Sequence, residues 1–155
     1  FRPFAPAVLR EHVAEHFELD RASPYMLLVA PVRNAKANAA VTRLQGLDRL
    51  QAVQSPLPAV THVDASARVQ TVDRSTNEVF ADLIEAFRRK TGVPVLVNTS
   101  FNVRGEPIVC SPIDAYRCFM ATAIDYLVVG SYLLDRTRQP TGHPLLQGRH
   151  EFEPD

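Results

Sequence analysis

"STNEVFADLIEAFRRKTGVPVLVN", residues 75–98, places a helix and a strand back to back. Val79, Leu83, Ile84 and Phe87 recur at helical spacing. Ser75 and Glu78 have the spacing of a capping box. Arg88, Arg89 and Lys90 fall in the last turn, where cations complement the negative helix end, and Gly92 supplies the stop. The apolar run from Val93 to Val97 follows at once and has strand length. The alternation then repeats. Ser111, Pro112 and Asp114 open a second helix, "PIDAYRCFMATAI", and "DYLVVGSYLL" supplies another strand. Helix, strand, helix, strand predicts an α/β domain.

Upstream, "APAVLREHVAEHFEL" has helical spacing, with Val8, Leu9, Val13, Phe17 and Leu19 on one broad face and Pro6 suited to a first turn. The spacing predicts a helix there. "SPYMLLVAPV" reads as a short strand bounded by prolines. Residues 34–58 are rich in Ala, Gln and Arg and predict a loosely helical insert or a mobile loop ending at Pro56 and Pro58. "AVTHVDASARVQTV" reads as two short strand segments around an Asp-Ala-Ser turn. The polar tail from Arg136 to Asp155 is expected to be irregular.

With 155 residues, the chain is the size of one domain and long enough to bury a core. Seventeen basic and 17 acidic side chains balance, so nothing global points to nucleic acid or a charged membrane surface. Any anion site must be local. Cys110 and Cys118 have neither C-x-x-C nor metal-ligand spacing and read as buried, reduced thiols of a cytoplasmic protein. No apolar run approaches the ~18 residues of a membrane span, and no metal-binding histidine motif, Gly-rich phosphate loop or nucleophile elbow appears.

The chemistry-bearing residues form two clusters. "NTSFNVRGEPIV" continues the strand that ends at Asn98. Strand ends in α/β sheets are ligand-binding places. Asn98, Thr99, Ser100 and Asn102 offer groups for a phosphate or a ribose, Arg104 offers a charged fork, and Gly105 lets the chain turn. The alternative is a loop whose polar side chains bond its own backbone. In the second cluster, Arg68 and Gln70 share one strand face, as do His62 and Asp64. The alternatives there are an ordinary solvent-facing strand and a structural histidine. Arg2, in "FRPFAP", reads alternatively as a plain surface arginine.

"FRPFAPAVL", "SPYMLLVAPV", "AVTHVDASARVQTV" and "VPVLVNTSFNVRGEPIVCSPIDAYRCF" occur in order. Together they resemble the C-terminal domain of the O-carbamoyltransferase family that includes the NodU and CmcH proteins. The likeness covers residues 1 to about 134 apart from the 34–58 stretch. It implies a YrdC-like fold: a twisted open sheet with flanking helices, here apparently without its N-terminal part. It implies formation of O-carbamoyladenylate from carbamoyl phosphate and ATP, with Mg2+ arriving on the ATP. A separate N-terminal domain would then pass the carbamoyl group to a hydroxyl of a small-molecule acceptor, such as a Nod factor or an antibiotic. On this resemblance Arg68 and Arg104 are the candidate catalytic residues. Arg2, His62, Gln70, Asn98, Thr99, Ser100 and Asn102 are candidates for holding the nucleotide, and no residue is assigned to metal.

The chain departs from the family in three places, one of them the 34–58 stretch, which is longer than the resemblance implies and reads as a lid or variable loop. The family reads "THVDG" where this chain has Asp64-Ala65, which puts a tight turn under test, and its G-P-R-A-L-G-x-R-S motif is absent upstream of "FRPFAP". The domain is therefore expected at 1–135, inactive alone, with an exposed docking face that also permits a homodimer. The rivals are a nucleotide-binding or interaction module without activity, and a threonylcarbamoyl-adenylate synthase-like enzyme.

Overall fold

The computed structural model describes residues 4–37 and 53–140. The chain divides into two compact units, Phe1–Thr99 and Ser100–Asp155. In the first, four strands form a mixed sheet: β1 (Ala5–Leu9), β2 (Leu28–Pro31), β5 (Ser66–Val72) and β6 (Val95–Asn98), in the order β2-β5-β1-β6. β1 is parallel to β5 and antiparallel to β6, and β2 is antiparallel to β5. The mixed α/β class predicted from the sequence is the one observed.

The segment 5–9, expected in a helix, is one of the two inner strands of the sheet. All five of its residues are buried. A short apolar run buried on both faces carries no alternation, so periodicity cannot separate it from a helix. Helix formation is confined to a 3-10 turn, Arg10–His12, and the single α-turn α1, Val13–His16. One sheet face packs Val8, Ala67, Val69 and Val95 with Val13, Phe17, Ala30 and Val32. On the other, Ala7, Leu9 and Val72 meet Ala81 and Ile84 of α2, Glu78–Thr91, which connects β5 to β6.

The predicted helix at α2 forms, with two corrections. Its N-cap is Asn77, whose side chain accepts from Phe80 N, whereas Ser75 bonds Asp73. Its buried positions are Ala81 and Ile84, while Val79, Leu83 and Phe87 are exposed, Val79 at 82%. Ala81 and Ile84 pack on Ala7, Leu9 and Val72, and the bulkier stripe is turned outward. Gly92 ends the helix in the left-handed conformation, as its position implied.

The Asp73 carboxylate accepts from the hydroxyl and the N–H of Ser75 and from Arg10 at the end of β1. These donors, the Ser75 hydroxyl foremost, pull its pKa down to about 2. A depressed carboxylate contributes stability above its unfolded value and loses it as pH falls through the folded one. Asp73→Asn is therefore expected to lower the melting temperature at pH 6, with the deficit fading between pH 3.8 and about 2. A deficit that persists undiminished at pH 2 would assign the effect to something other than this charge.

Within 34–58, Lys36–Ala37 (β3) and Val53–Gln54 (β4) pair as an antiparallel ribbon, and residues 38–52 lie outside the described ones. The expectation of a helical or mobile insert falls largely on those residues. Residues 60–64 are not a strand. Pro58–Val60 is a 3-10 turn, and the chain then turns through His62–Ala65, where His62 N donates to Ser66 O and Ala65 N to His62 O.

In the second unit, α3 (Pro112–Ala121) packs on the hairpin of β7 (Tyr126–Val129) and β8 (Tyr132–Asp135) through Ala115, Phe119 and Leu127. The predicted start of α3 is a full capping box between Ser111 and Asp114. The expectation of buried thiols is met at Cys118 and corrected at Cys110, which is exposed. Beyond it, Arg136–Arg138 forms a 3-10 turn, and the expected irregular tail lies outside the described residues from 141 onward. Among the described residues no helix is long and apolar enough to cross a membrane.

Candidate functional site

α2 covers only part of its sheet face. Along β5, alternate residues Arg68, Gln70 and Val72 share that face. Val72 is under α2, while Arg68 is exposed and Gln70 half-buried. The pairing register puts Gln70 opposite Ala7, and Asn98 opposite Ala5 on the far side of β1. Both alanines are buried and small, so long side chains from β5 and β6 can meet above the strand between them. They do: Asn98 Nδ2 donates to Gln70 Oε1 at 2.5 Å. Gln70 Nε2 in turn donates to Pro24 O at 3.1 Å.

Pro24 is held by its neighbour Ser23, which is buried. Ser23 N donates to Thr71 Oγ1 at 2.8 Å, Ser23 Oγ donates to Val69 O at 2.8 Å, and Thr71 N donates to Ser23 O at 3.0 Å. The sequence reading took "SPYMLLVAPV" only as a strand and missed this role. The signal was a Ser-Pro step ahead of an apolar run, a turn-forming pair with a hydroxyl to spare. Beside the bridged amides, Arg68 has no hydrogen-bond or ion-pair partner among the described residues, and it faces Val29 of β2, which is 60% exposed.

His62 lies in the turn that leads into β5 and is half-buried. In the same turn Asp64 Oδ1 accepts from the Ser66 hydroxyl at 2.6 Å and from Ser66 N at 3.0 Å, and the hydroxyl bond is the main cause of its lowered pKa. Ala65 has φ 65° and adopts the left-handed conformation that favours glycine. An L-residue there carries a cost of roughly 1–2 kcal/mol, partly offset because glycine loosens the unfolded chain. Ala65→Gly is expected to stabilise the first unit by about 0.5–1 kcal/mol. A urea midpoint that stays put or falls would contradict this.

Thr99 and Ser100 are exposed where the two units meet in sequence. In the second unit, Asn102 Nδ2 donates to Val103 O at 3.2 Å and to Glu106 O at 3.0 Å. Its amide thus folds its own loop, the alternative that its residue type left open. The loop is closed further by Val109 N on Phe101 O and Glu106 N on Val103 O. Gly105, at φ 84°, makes the turn that leaves Arg104 exposed at its tip. Arg2 lies outside the described residues. Each cluster can offer an anion a guanidinium, and no cluster of His, Cys, Asp or Glu fit to hold a metal occurs among the described residues.

The family described as "Carbamoyltransferase C-terminus" matches residues 1–136. An uncharacterized protein of Synechocystis is 52% identical over the whole chain, which spans 26% of that protein. Nodulation protein NolNO of Sinorhizobium fredii is 47% identical over 90% of the chain and 19% of its own length. The 3'-hydroxymethylcephem-O-carbamoyltransferase of Amycolatopsis lactamdurans is 37% identical over 84% of the chain and 21% of its own length. The chain thus spans between about a fifth and a quarter of the length of these relatives.

Proposed function

The chain belongs to the carbamoyltransferase C-terminal family, and from that premise we propose that it forms O-carbamoyladenylate from carbamoyl phosphate and ATP, for transfer to a hydroxyl of an acceptor by the rest of a longer protein. The observation that carries the reading is an exposed, unpaired Arg68 beside the bridged amides of Gln70 and Asn98, on the part of a sheet face that α2 leaves open.

The chemistry asks mainly for positioning and charge neutralisation. Water cleaves carbamoyl phosphate to carbamate and phosphate. A carbamate oxygen then bonds to the α-phosphorus of ATP as the bond to the leaving pyrophosphate breaks. No protein nucleophile is needed. Arg68 is suited to balance charge on phosphoryl oxygens, because a planar fork can hold two of them at once. In the second unit, Arg104 is exposed on a glycine turn and offers a guanidinium of the same chemistry. Asn102 maintains the loop that presents Arg104. Magnesium would come with ATP and draw most of its ligands from phosphate and water.

The test is release of phosphate and pyrophosphate from carbamoyl phosphate and ATP. In the full-length protein pyrophosphate release is expected to require carbamoyl phosphate and to be matched by at least as much phosphate, and the 155 residues alone are expected to turn over at least tenfold more slowly. Pyrophosphate release that ignores carbamoyl phosphate would refute the reading.

A further inference from the structure

The amide bridge above β1 has a direction. Pro24 O is a carbonyl oxygen and can only accept. It therefore fixes the Gln70 carboxamide with Nε2 toward the loop and Oε1 toward β6. Gln70 Oε1 can likewise only accept, so Asn98 must present Nδ2 to it. What remains is Asn98 Oδ1, an acceptor with no partner among the described residues. The orientation follows from the chain's own carbonyl and does not depend on which amide atom is placed where. Both ends of the relay are anchored, at Pro24 by the buried Ser23–Thr71–Val69 bonds and at Asn98 by the last residue of β6. Asn98 cannot turn its Nδ2 to a ligand without breaking the bond to Gln70.

The site thus presents two unlike groups to one ligand. Arg68 is two residues before Gln70 on β5, and Ala5 is two residues before Ala7 on the parallel β1. The register therefore aligns Arg68 with Ala5, which is itself paired with Asn98. Arg68 and Asn98 flank the same alanine, two strand spacings apart, or about 10 Å between backbones. The arginine offers only donors and wants an anion. Asn98 Oδ1 offers only an acceptor and repels one.

Resting on the function proposed above, we infer that Asn98 Oδ1 is a specificity determinant that accepts a hydrogen bond from the amino group of the carbamoyl moiety, while Arg68 holds the attached phosphate. The carbamoyl group is a small acyl unit that carries N–H donors, and its phosphate places an anion next to them. An acetyl group has the same shape with a methyl in place of the amino group. Bound here it would leave Asn98 Oδ1 facing a methyl, and a desolvated acceptor without a donor is unfavourable. Gln70 acts through Asn98 and is a positioning residue. A ribose hydroxyl is the other source of a donor near phosphate, and the experiment separates the two.

Affinities for carbamoyl phosphate and acetyl phosphate are measured by calorimetry on the full-length protein. The wild type is expected to favour carbamoyl phosphate by at least tenfold. Asn98→Leu, which removes the acceptor at similar size, should bring the two affinities within about twofold by weakening carbamoyl phosphate alone. Gln70→Met, which frees Asn98 to rotate, should narrow the preference part of the way. ATP and its 2′- and 3′-deoxy analogues are titrated in parallel and should be affected equally by Asn98→Leu. Equal binding of the two acyl phosphates by the wild type would overturn the inference. So would a preference that survives Asn98→Leu, or an Asn98→Leu effect confined to ribose discrimination. If anion binding persists and still depends on Arg68 in those cases, the proposed function stands without the specificity. If neither acyl phosphate binds, both fall together.

Discussion

Arg68→Ala is expected to lower kcat/KM for carbamoyl phosphate in the full-length protein by about 100-fold, the upper end of the ~1.5–3 kcal/mol that a hydrogen bond to a charged group contributes. The argument rests on what Arg68 lacks. It is exposed, and no carboxylate or carbonyl among the described residues engages it. Other arginines of the same unit are committed: Arg10 to Asp73, Arg74 to Asp82, and Arg88 to Glu85. A free guanidinium beside a rigid amide pair is poised for a ligand. Arg68→Lys should recover only part of the loss, because an ammonium cannot hold two phosphate oxygens in a plane. Arg74→Ala removes a surface ion pair of small worth and should leave turnover within about twofold. If Arg68→Ala and Arg74→Ala behave alike, Arg68 is a solvated strand residue and not part of a site.

Phe17→Ala is expected to destabilise the first unit by about 3–5 kcal/mol, a large share of the roughly 5–15 kcal/mol typical of a domain. Phe17 has 0% exposure and is among the largest fully buried side chains. It packs with Val8, Val69 and Val95 under the sheet, on the face opposite Arg68 and Gln70. Phe17 also bridges in β fashion to Val32, so the backbone there cannot easily close over the cavity. The urea unfolding midpoint is the measurement, and a loss under about 1 kcal/mol would mean that this core yields far more than close packing permits. Because the two faces are separate, protein that remains folded should keep its anion affinity.

The sequence made some of this legible and hid the rest for definable reasons. α2, β6 and α3 were readable because caps, helical spacing and Gly92 agree with one another locally. β1 was not. Ala5–Leu9 is covered on both faces, and its apolar run merges into the short turns that follow, which imitates one longer helix. That single error also hid the core of the site. Arg68 and Gln70 share a strand face by simple alternation, and the sequence shows this. The Gln70–Asn98 bond requires β5 and β6 to flank one strand of small residues, which is invisible while that strand is read as a helix. The Ser23–Pro24 anchor is further still from view, since it links residues 46 and 48 positions apart.

The most direct test of the central claim is exchange of labelled pyrophosphate into ATP by the full-length protein. Reversal of adenylation is the only route by which the proposed reaction can return pyrophosphate to ATP. The account predicts exchange that requires carbamoyl phosphate and falls about 100-fold in Arg68→Ala. Exchange of equal rate without carbamoyl phosphate, or undiminished in Arg68→Ala, would contradict it.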